Sequence, residues 1–496
     1  MKNTKKLYIY WGLFIVFVCC VSYVRLLYSS PFASSWDQVD FALAVTNFDL
    51  YQMQPHFPGY PYFILGGMLF NHLVNDSVQA LSIFNTIMAV TSVVPIILIL
   101  KSYVNLRANF LITASIYSMS YMWVLSTDPM SEAAAVAVLW WFIWSLRVAK
   151  EKPVFWISVV PLVFFSILMG IRLSYIPFGI GILLLWYSYH KHFSEWFAFV
   201  RFIFLQVIIA ALLQFIWIGG LIMSAGGLSA FIELAVGFVG GHFTEWGGAI
   251  SADSMPLVER LYKLIFHNFL WTGLFVQSLP LALIYILLLG LLVFCLKRKK
   301  CDTDPFTCWL IFMWVAYFLW VLFAQNVDKP RHILPLTGLF VFLLLKSTFR
   351  CRCMKTKSLN SICVVLISLQ CIHGSHLIFE KTNQPPAVYQ LTNYLTEIAE
   401  TGPITVYTWE ESRVMEFLKV PYQHKEIFTY EYFKIELPSN KKIKVFLTDQ
   451  VIKGFEKQEY AVQNRIKKIE TFQSNSLFNP VYGEISLYEW TGKKEQ

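Results

Sequence analysis

The chain has 496 residues, of which 56% are hydrophobic and only 14% are charged, and its formal net charge is +9. Soluble domains carry about 25% charged residues, whereas long apolar runs recur here as far as residue 377. This composition excludes an ordinary soluble globular protein and indicates a polytopic α-helical membrane protein.

The first apolar run, residues 7–28, follows Lys2, Lys5 and Lys6. It is longer than the apolar segment of about 7–15 residues in a secretory signal peptide, and no clear small-residue cleavage site follows it. We therefore expect an uncleaved membrane anchor whose N-terminus is cytoplasmic.

Residues 30–75 form a predicted external loop with an unusual set of polar residues. Asp37 and Asp40 are three positions apart, so they share one face of a short helix. His56 follows in a segment rich in Pro, Gly and Tyr. The stretch 60–74 is apolar but too short to cross about 30 Å of hydrocarbon, which predicts a re-entrant or interfacial helix.

Apolar length predicts eleven membrane spans in total. A second long external loop is predicted over residues 223–268. The spans are predicted at residues 7–28, 77–100, 108–125, 131–149, 153–171, 174–189, 198–222, 269–296, 306–324, 333–346 and 359–377.

Basic residues decide the orientation of these spans. With a cytoplasmic N-terminus, most Lys and Arg residues of the connecting loops lie inside, as the positive-inside rule requires. The net positive charge is therefore explained by topology, and no nucleic-acid partner is predicted. The inside residues are Lys101, Arg107, Arg147, Lys150, Lys152, Lys191, Lys297, Arg298, Lys299, Lys300, Arg350, Arg352, Lys355 and Lys357.

The same topology collects unusual polar residues from five external segments at one membrane surface. Simpler explanations exist for some of them: Asp128 as a helix N-cap, Glu132 as a complement to a helix dipole, and Arg172 as a snorkelling side chain. For His242 and Glu245 we favour a flexible lid over a ligand site. The full set is Asp37, Asp40, His56, Asp128, Glu132, Arg172, His242, Glu245, Lys329, Arg331 and His332.

Residues 378–496 are polar, mixed in charge and free of long apolar runs. They predict a small extracytoplasmic α/β domain after the transmembrane domain of residues 1–377. Its expected elements are helices at 386–401 and 410–418 and strands at 404–407, 443–447 and 484–488.

These residue types suit chemistry on an anionic lipid. Arg172, Lys329 and Arg331, helped by His56, are donors for a phosphate group. Asp37 is placed to take a proton from an attacking hydroxyl group as a general base.

The carboxylates also offer a second chemistry. Asp37 with Asp40 or Asp128 provides oxygen ligands for a divalent metal, Mg²⁺ or Mn²⁺. No other cofactor is predicted.

Four short motifs resemble the GT-C superfamily of integral-membrane glycosyltransferases, which includes protein O-mannosyltransferases and aminoarabinose transferases. Residues 36–41 occupy the place of the family's acidic pair, and residues 54–62 are similar to its Pro- and Tyr-rich motif. Residues 127–129 match a second acidic position, and residues 329–335 look like its Arg-Tyr-x-x-Pro segment. The chain departs from the family pattern at three positions: Gln38, His56 and His332.

The resemblance implies a polyprenyl-phosphate-linked sugar as donor and one direct displacement that inverts the anomeric centre. Asp37 would activate the acceptor, with Asp40 and Asp128 in support. Lys329, Arg172, Arg331, His56 and His332 would bind the lipid phosphate. The acceptor would be a glycan, protein or lipid outside the plasma membrane of a bacterium.

Two other functions fit a chain of this composition. A lipid-linked sugar flippase usually places polar groups near the membrane midplane and contains inverted repeats, and neither pattern is found here. A non-catalytic assembly or sensor protein would use the tail domain for binding, and its function would not depend on Asp37.

Overall fold

The computed structural model describes residues 2–252, 255–298, 304–351, 356–440 and 442–492. Lys299, Lys300, Arg352 and Lys355 of the predicted inside loops lie outside these ranges. The chain folds as two compact units. The membrane unit comprises Met1–Ser30 and Ala44–Phe379, and the tail unit comprises Pro31–Leu43 and Glu380–Gln496. The tail unit thus includes a segment from the first predicted loop.

Helices account for nearly all regular structure up to residue 383. Short 3₁₀ turns at Leu173–Gly179, His190–His192 and Pro330–Ile333 and a π-helical segment at Lys263–Leu274 join them. The helices are α1 Lys2–Leu27, α2 Trp36–Thr46, α3 Pro61–Val74, α4 Ser77–Thr91, α5 Val93–Leu100, α6 Leu106–Tyr117, α7 Ser120–Ser126, α8 Glu132–Glu151, α9 Phe155–Ile171, α10 Ile180–Tyr189, α11 Trp196–Ser224, α12 Leu228–Thr244, α13 Leu257–Tyr262, α14 Leu279–Arg298, α15 Pro305–Ala324, α16 Leu334–Cys351 and α17 Thr356–Asn383.

The predicted fold class, a polytopic helical membrane protein with a small α/β tail, is confirmed. Within the described ranges, eight helices are long and apolar enough to cross a membrane. Several predicted spans are differently built, however. The span at 108–125 is broken between α6 and α7, 174–189 begins as a 3₁₀ turn, and 269–296 is interrupted before Leu279. The break after α6 is fixed by Ser118, whose hydroxyl donates to Gln370 at 2.9 Å.

The short apolar stretch predicted at 60–74 is the 14-residue helix α3. At 1.5 Å per residue it is about 21 Å long, which is less than the hydrocarbon thickness. It forms a hairpin with α4, whose N-cap Asp76 accepts hydrogen bonds from the backbone of Val78 and Gln79. The non-crossing placement of α3 stays a prediction.

The tail unit contains a mixed five-stranded sheet. Its strand order is β2-β1-β3-β5-β4, with β1 parallel to β2 and β3, and β5 antiparallel to β3 and β4. Four helices accompany the sheet. The strands are β1 Ile404–Thr408, β2 Gln423–Glu426, β3 Lys444–Thr448, β4 Ile466–Gln473 and β5 Glu484–Trp490, and the helices are α18 Ala387–Thr401, α19 Glu411–Leu418, α20 Tyr430–Glu436 and α21 Asp449–Lys457.

All five elements predicted in the tail form within one or two residues of the expected bounds. A core of aromatic and aliphatic side chains, including Tyr407, Phe433 and Phe455, packs between the sheet and its helices. The sequence does not predict β2, β4, α20 or α21. For β2 the reason is that its sequence Gln-His-Lys-Glu is wholly polar at a sheet edge.

Candidate active site

A carboxylate at the start of α8 lies between two guanidinium groups from distant parts of the chain. Oε1 of Glu132 is 3.0 Å from Nη2 of Arg172 and 2.8 Å from Nε of Arg331. Nη2 of Arg172 also lies 3.3 Å from Nδ1 of His332. Glu132 is wholly buried, so its charge must be compensated by these partners. We call Glu132, Arg172, Arg331 and His332 the Glu132 cluster.

Three helix ends supply this cluster: the start of α8, the residue after α9, and the 3₁₀ turn before α16. Nη1 of Arg172 donates to Oγ of Ser131 at 2.8 Å, and the hydroxyl of Tyr317 donates to the carbonyl of His332 at 3.1 Å. Arg172 is therefore held inside the protein and does not snorkel. The first contact restricts the rotamer of Arg172, and the second holds the backbone at His332, as a preorganised site requires.

The loop between α7 and α8 is tied to α4 by one amide side chain. Nδ2 of Asn85 donates to the carbonyl oxygens of Asp128 and Met130 at 2.8 and 2.6 Å. Oδ1 of the same side chain accepts a hydrogen bond from the backbone of Ala134 at 3.0 Å. The residue before α8 is Ser131, so Asp128 is not the N-cap of this helix.

Asp128 instead lies near the Glu132 cluster. The buried ring of Tyr121 interacts electrostatically with Asp128, Glu132 and Arg331. All three charged groups therefore lie within interaction range of one phenol hydroxyl. Asp128 is itself nearly buried, which makes its charge costly without such neighbours.

His56 is connected to Arg172 of the Glu132 cluster through Tyr60. Nε2 of His56 is 3.1 Å from the hydroxyl of Tyr60, and Tyr60 interacts electrostatically with Arg172. The start of α3 packs tightly on the end of α9: a Cβ at Gly170 would lie only 2.4 Å from the ring of Tyr62. A glycine is therefore needed at position 170.

The remaining predicted site residues of the membrane unit are Lys329, His242 and Glu245. Lys329 is half-buried two positions before Arg331. His242 lies at the end of α12, with Nε2 2.8 Å from the carbonyl oxygen of Ala324, and Glu245 is exposed. The predicted loop at 223–268 thus contains a 17-residue helix, α12, whose end is bonded to the end of α15.

Asp37 and Asp40 belong to the tail unit. Asp37 is half-buried in the first turn of α2, where it interacts electrostatically with Tyr482. Tyr482 hydrogen-bonds to Glu410 and lies near Glu411. Burial, together with these carboxylates, raises the pKa of the Tyr482 hydroxyl. Asp40 is wholly buried and pairs with a tail arginine.

The stability of the tail depends on pH through Glu411. Burial raises the pKa of Glu411 to about 7, although Oε2 accepts a hydrogen bond from the backbone of Trp409 at 2.9 Å. Because the folded tail binds this proton more tightly than the unfolded chain, its stability falls as pH rises from about 4.5 to about 7, and it is constant above that.

We therefore expect Glu411→Gln to stabilise the tail at pH 8 by about 3 kcal/mol, since glutamine keeps the Trp409 bond without the charge. At pH 4 the variant should match the wild type. Thermal unfolding of the full chain at both pH values measures the difference. An equal gain at both would contradict a protonation effect.

A divalent metal at Asp37 with Asp40 or Asp128 stays a prediction. Within the described residues, no three side chains of His, Cys, Asp or Glu come close enough to hold a metal ion. The carboxylate of Asp40 is already bonded to Arg413 at 2.9 Å. No reaction step is therefore derived through a cation.

The comparison with solved structures shows that this chain shares its fold with ArnT. The predicted resemblance is thus confirmed at the level of the fold. Neither family models nor curated proteins give a match to this chain.

Two crystal structures of ArnT from Cupriavidus metallidurans share this fold. The one bound to undecaprenyl phosphate has a TM-score of 0.59 and 10% sequence identity, and the apo structure has 0.55 and 9%. Each comparison covers 96% of this chain and 98% of the ArnT chain. The similarity therefore extends over both units.

Proposed function

We propose that this chain is a membrane glycosyltransferase that moves a sugar from a polyprenyl-phosphate donor to an extracytoplasmic acceptor. The observation that carries the proposal is the Glu132 cluster, in which two guanidinium groups and a histidine converge within a GT-C fold. Guanidinium groups bind phosphate in a bidentate manner. The fold is shared with a protein whose crystal structure contains undecaprenyl phosphate.

The cluster keeps hydrogen-bonding capacity for a ligand. Among the buried atoms of the described residues, Nε of Arg172 and Oε2 of Glu132 have no hydrogen-bond partner. Buried polar atoms are normally paired, so an N–H donor and a carboxylate acceptor here suit a ligand with both phosphate oxygens and hydroxyl groups. A sugar phosphate has both.

In the proposed reaction, Asp37 removes the proton from an acceptor hydroxyl group. The acceptor oxygen forms a bond to the anomeric carbon while the bond from that carbon to the phosphate oxygen breaks. The electron pair of the broken bond leaves with the polyprenyl phosphate, whose charge Arg172, Arg331 and His332 stabilise. Lys329 and His56 assist in holding the phosphate, and Asp128 orients the charged groups.

The test is incubation of the purified full chain with a panel of radiolabelled polyprenyl-phosphate sugars, with and without EDTA. Transfer or release of sugar by the wild type, and its loss in Asp37→Asn, would support the enzyme. If the protein turned over none of these donors, a flippase would be the better explanation.

The phosphate site gives a separate prediction. We expect Arg331→Gln to weaken binding of undecaprenyl phosphate about 10- to 100-fold, because a charge-assisted hydrogen bond contributes about 1.5–3 kcal/mol. Binding can be measured by titration of the lipid in nanodiscs. The control is Arg201→Gln, at an exposed position in α11, which should leave affinity unchanged. Equal affinities in both variants would exclude Arg331 from the site.

A further inference from the structure

An ion pair inside the tail unit joins two segments that are far apart in the chain. Nε of Arg413 in α19 donates to Oδ1 of Asp40 in α2 at 2.9 Å, across 373 positions of sequence. Asp40 is wholly buried and Arg413 is 7% exposed. The guanidinium group also lies 5.6 Å from the ring centre of Trp36 and bonds to Glu416 at 2.8 Å.

Other tail side chains hold the segment that leads into α2. The hydroxyl of Tyr389 is 3.1 Å from the backbone nitrogen of Ala33, which donates to it. The hydroxyl of Ser34 is 2.6 Å from Oδ1 of Asn479, and its backbone nitrogen donates to Gln38 at 2.7 Å. Together with Arg413, Tyr389 and Asn479 hold α2 and the residues before it from three separate parts of the tail.

Because Asp40 lies in α2, its ion pair with Arg413 also affects the rotation of that helix. Residues three apart in a helix share a face, so Asp37 and Asp40 turn together about the helix axis. A buried ion pair adds little net stability, but it constrains geometry because either charge left alone is strongly disfavoured. Fixing the Asp40 carboxylate therefore fixes the rotation of α2.

We propose that Arg413 is a positioning residue: by holding Asp40, it sets the rotation of α2 and hence the direction of the Asp37 carboxylate. The inference rests on the proposed role of Asp37 as the base. It gives Asp40 a positioning role in place of a chemical one. It also gives the tail a function, which is to support the helix that carries the base.

The test compares Arg413→Gln, Arg413→Lys and the double variant Asp40→Asn/Arg413→Gln. Because a displacement of about 1 Å lowers rates about 100-fold, we expect Arg413→Gln to lower kcat by about that factor. The KM for the lipid donor should stay within about twofold, since the phosphate-binding residues are unchanged. The kcat of Arg413→Lys should be about tenfold higher than that of Arg413→Gln, because lysine restores the positive charge but lacks the planar guanidinium group.

The double variant separates positioning from stability. Since Asp40 and Arg413 act as one unit, losing both should cost kcat no more than losing Arg413 alone. Lys434→Gln is the matched control, because it removes a cation of the same unit from a surface pair with Glu431, and it should behave as wild type. Unchanged kcat in Arg413→Gln would overturn the proposal. A loss of activity that in every variant equals the fall in the amount of folded protein would also overturn it.

Hydrogen exchange separates this inference from the proposed function. In Arg413→Gln, the amides of α2 should exchange about tenfold faster while those of β1 and β3 keep their protection. Faster exchange in a protein that transfers no sugar would support the positioning of α2 and reject the enzyme. Unchanged exchange in α2 would reject the positioning role whatever the activity.

Discussion

Replacing Asp37 by Asn is expected to lower the kcat of sugar transfer about 1,000-fold. General-base catalysis contributes about 10²- to 10⁴-fold, and an amide cannot accept the proton from the acceptor. The KM for the donor should change little, because the residues proposed to bind phosphate are elsewhere. Initial rates with a radiolabelled polyprenyl-phosphate sugar measure both constants.

The control for Asp37→Asn is Glu397→Gln, which removes an exposed carboxylate from α18 of the same unit. It should retain wild-type rates. Thermal unfolding should show that both variants are folded. If Asp37→Asn kept more than about a tenth of the wild-type kcat, Asp37 would not be the base, and a non-catalytic protein would become the better explanation.

Replacing Glu132 by Gln is expected to produce the largest loss of stability. The substitution leaves Arg172 and Arg331 facing a neutral amide inside the protein, and breaking a buried ion pair from one side costs about 3–5 kcal/mol. Added undecaprenyl phosphate should restore part of this loss, because its phosphate supplies the missing negative charge and stabilises the folded state by binding it. Thermal unfolding with and without the lipid measures both effects.

A matched control lies at the other end of the same helix. Glu151 pairs with Arg147 at 2.8 Å, but its side chain is 55% exposed. Glu151→Gln should therefore cost less than about 1 kcal/mol, and the lipid should stabilise it no more than it stabilises the wild type. Equal losses in the two variants would show that the burial of Glu132 does not decide its contribution.

Much of the fold could be predicted because the membrane imposes lengths on the helices. Apolar runs identified most of the spans, and the short α3 was distinguished by length alone. The breaks within spans could not be predicted, because they depend on tertiary contacts. The hydrogen bond of Ser118 to Gln370, across 252 positions, is one such contact.

The candidate site was only partly predictable for a similar reason. Arg172, Arg331 and His332 stand out in the sequence because ionisable residues are rare in such a chain. For Glu132 the sequence also offers a simpler explanation, as a complement to the helix dipole, since nothing in its local sequence reveals a pair with Arg172 and Arg331. The sequence predicts that Asp40 supports Asp37, and its pair with Arg413 could not be predicted because that partner is in another part of the chain.

The distance between Asp40 and Arg413 along the chain also has a consequence for biosynthesis. At about 5–20 residues per second, the ribosome adds the intervening 373 positions in about 20–75 s. During that interval the carboxylate of Asp40 has been made but its arginine has not. The start of α2 therefore reaches its final arrangement only after most of the chain has been synthesised, and a chain that stops before α19 would lack this ion pair however well its earlier helices insert.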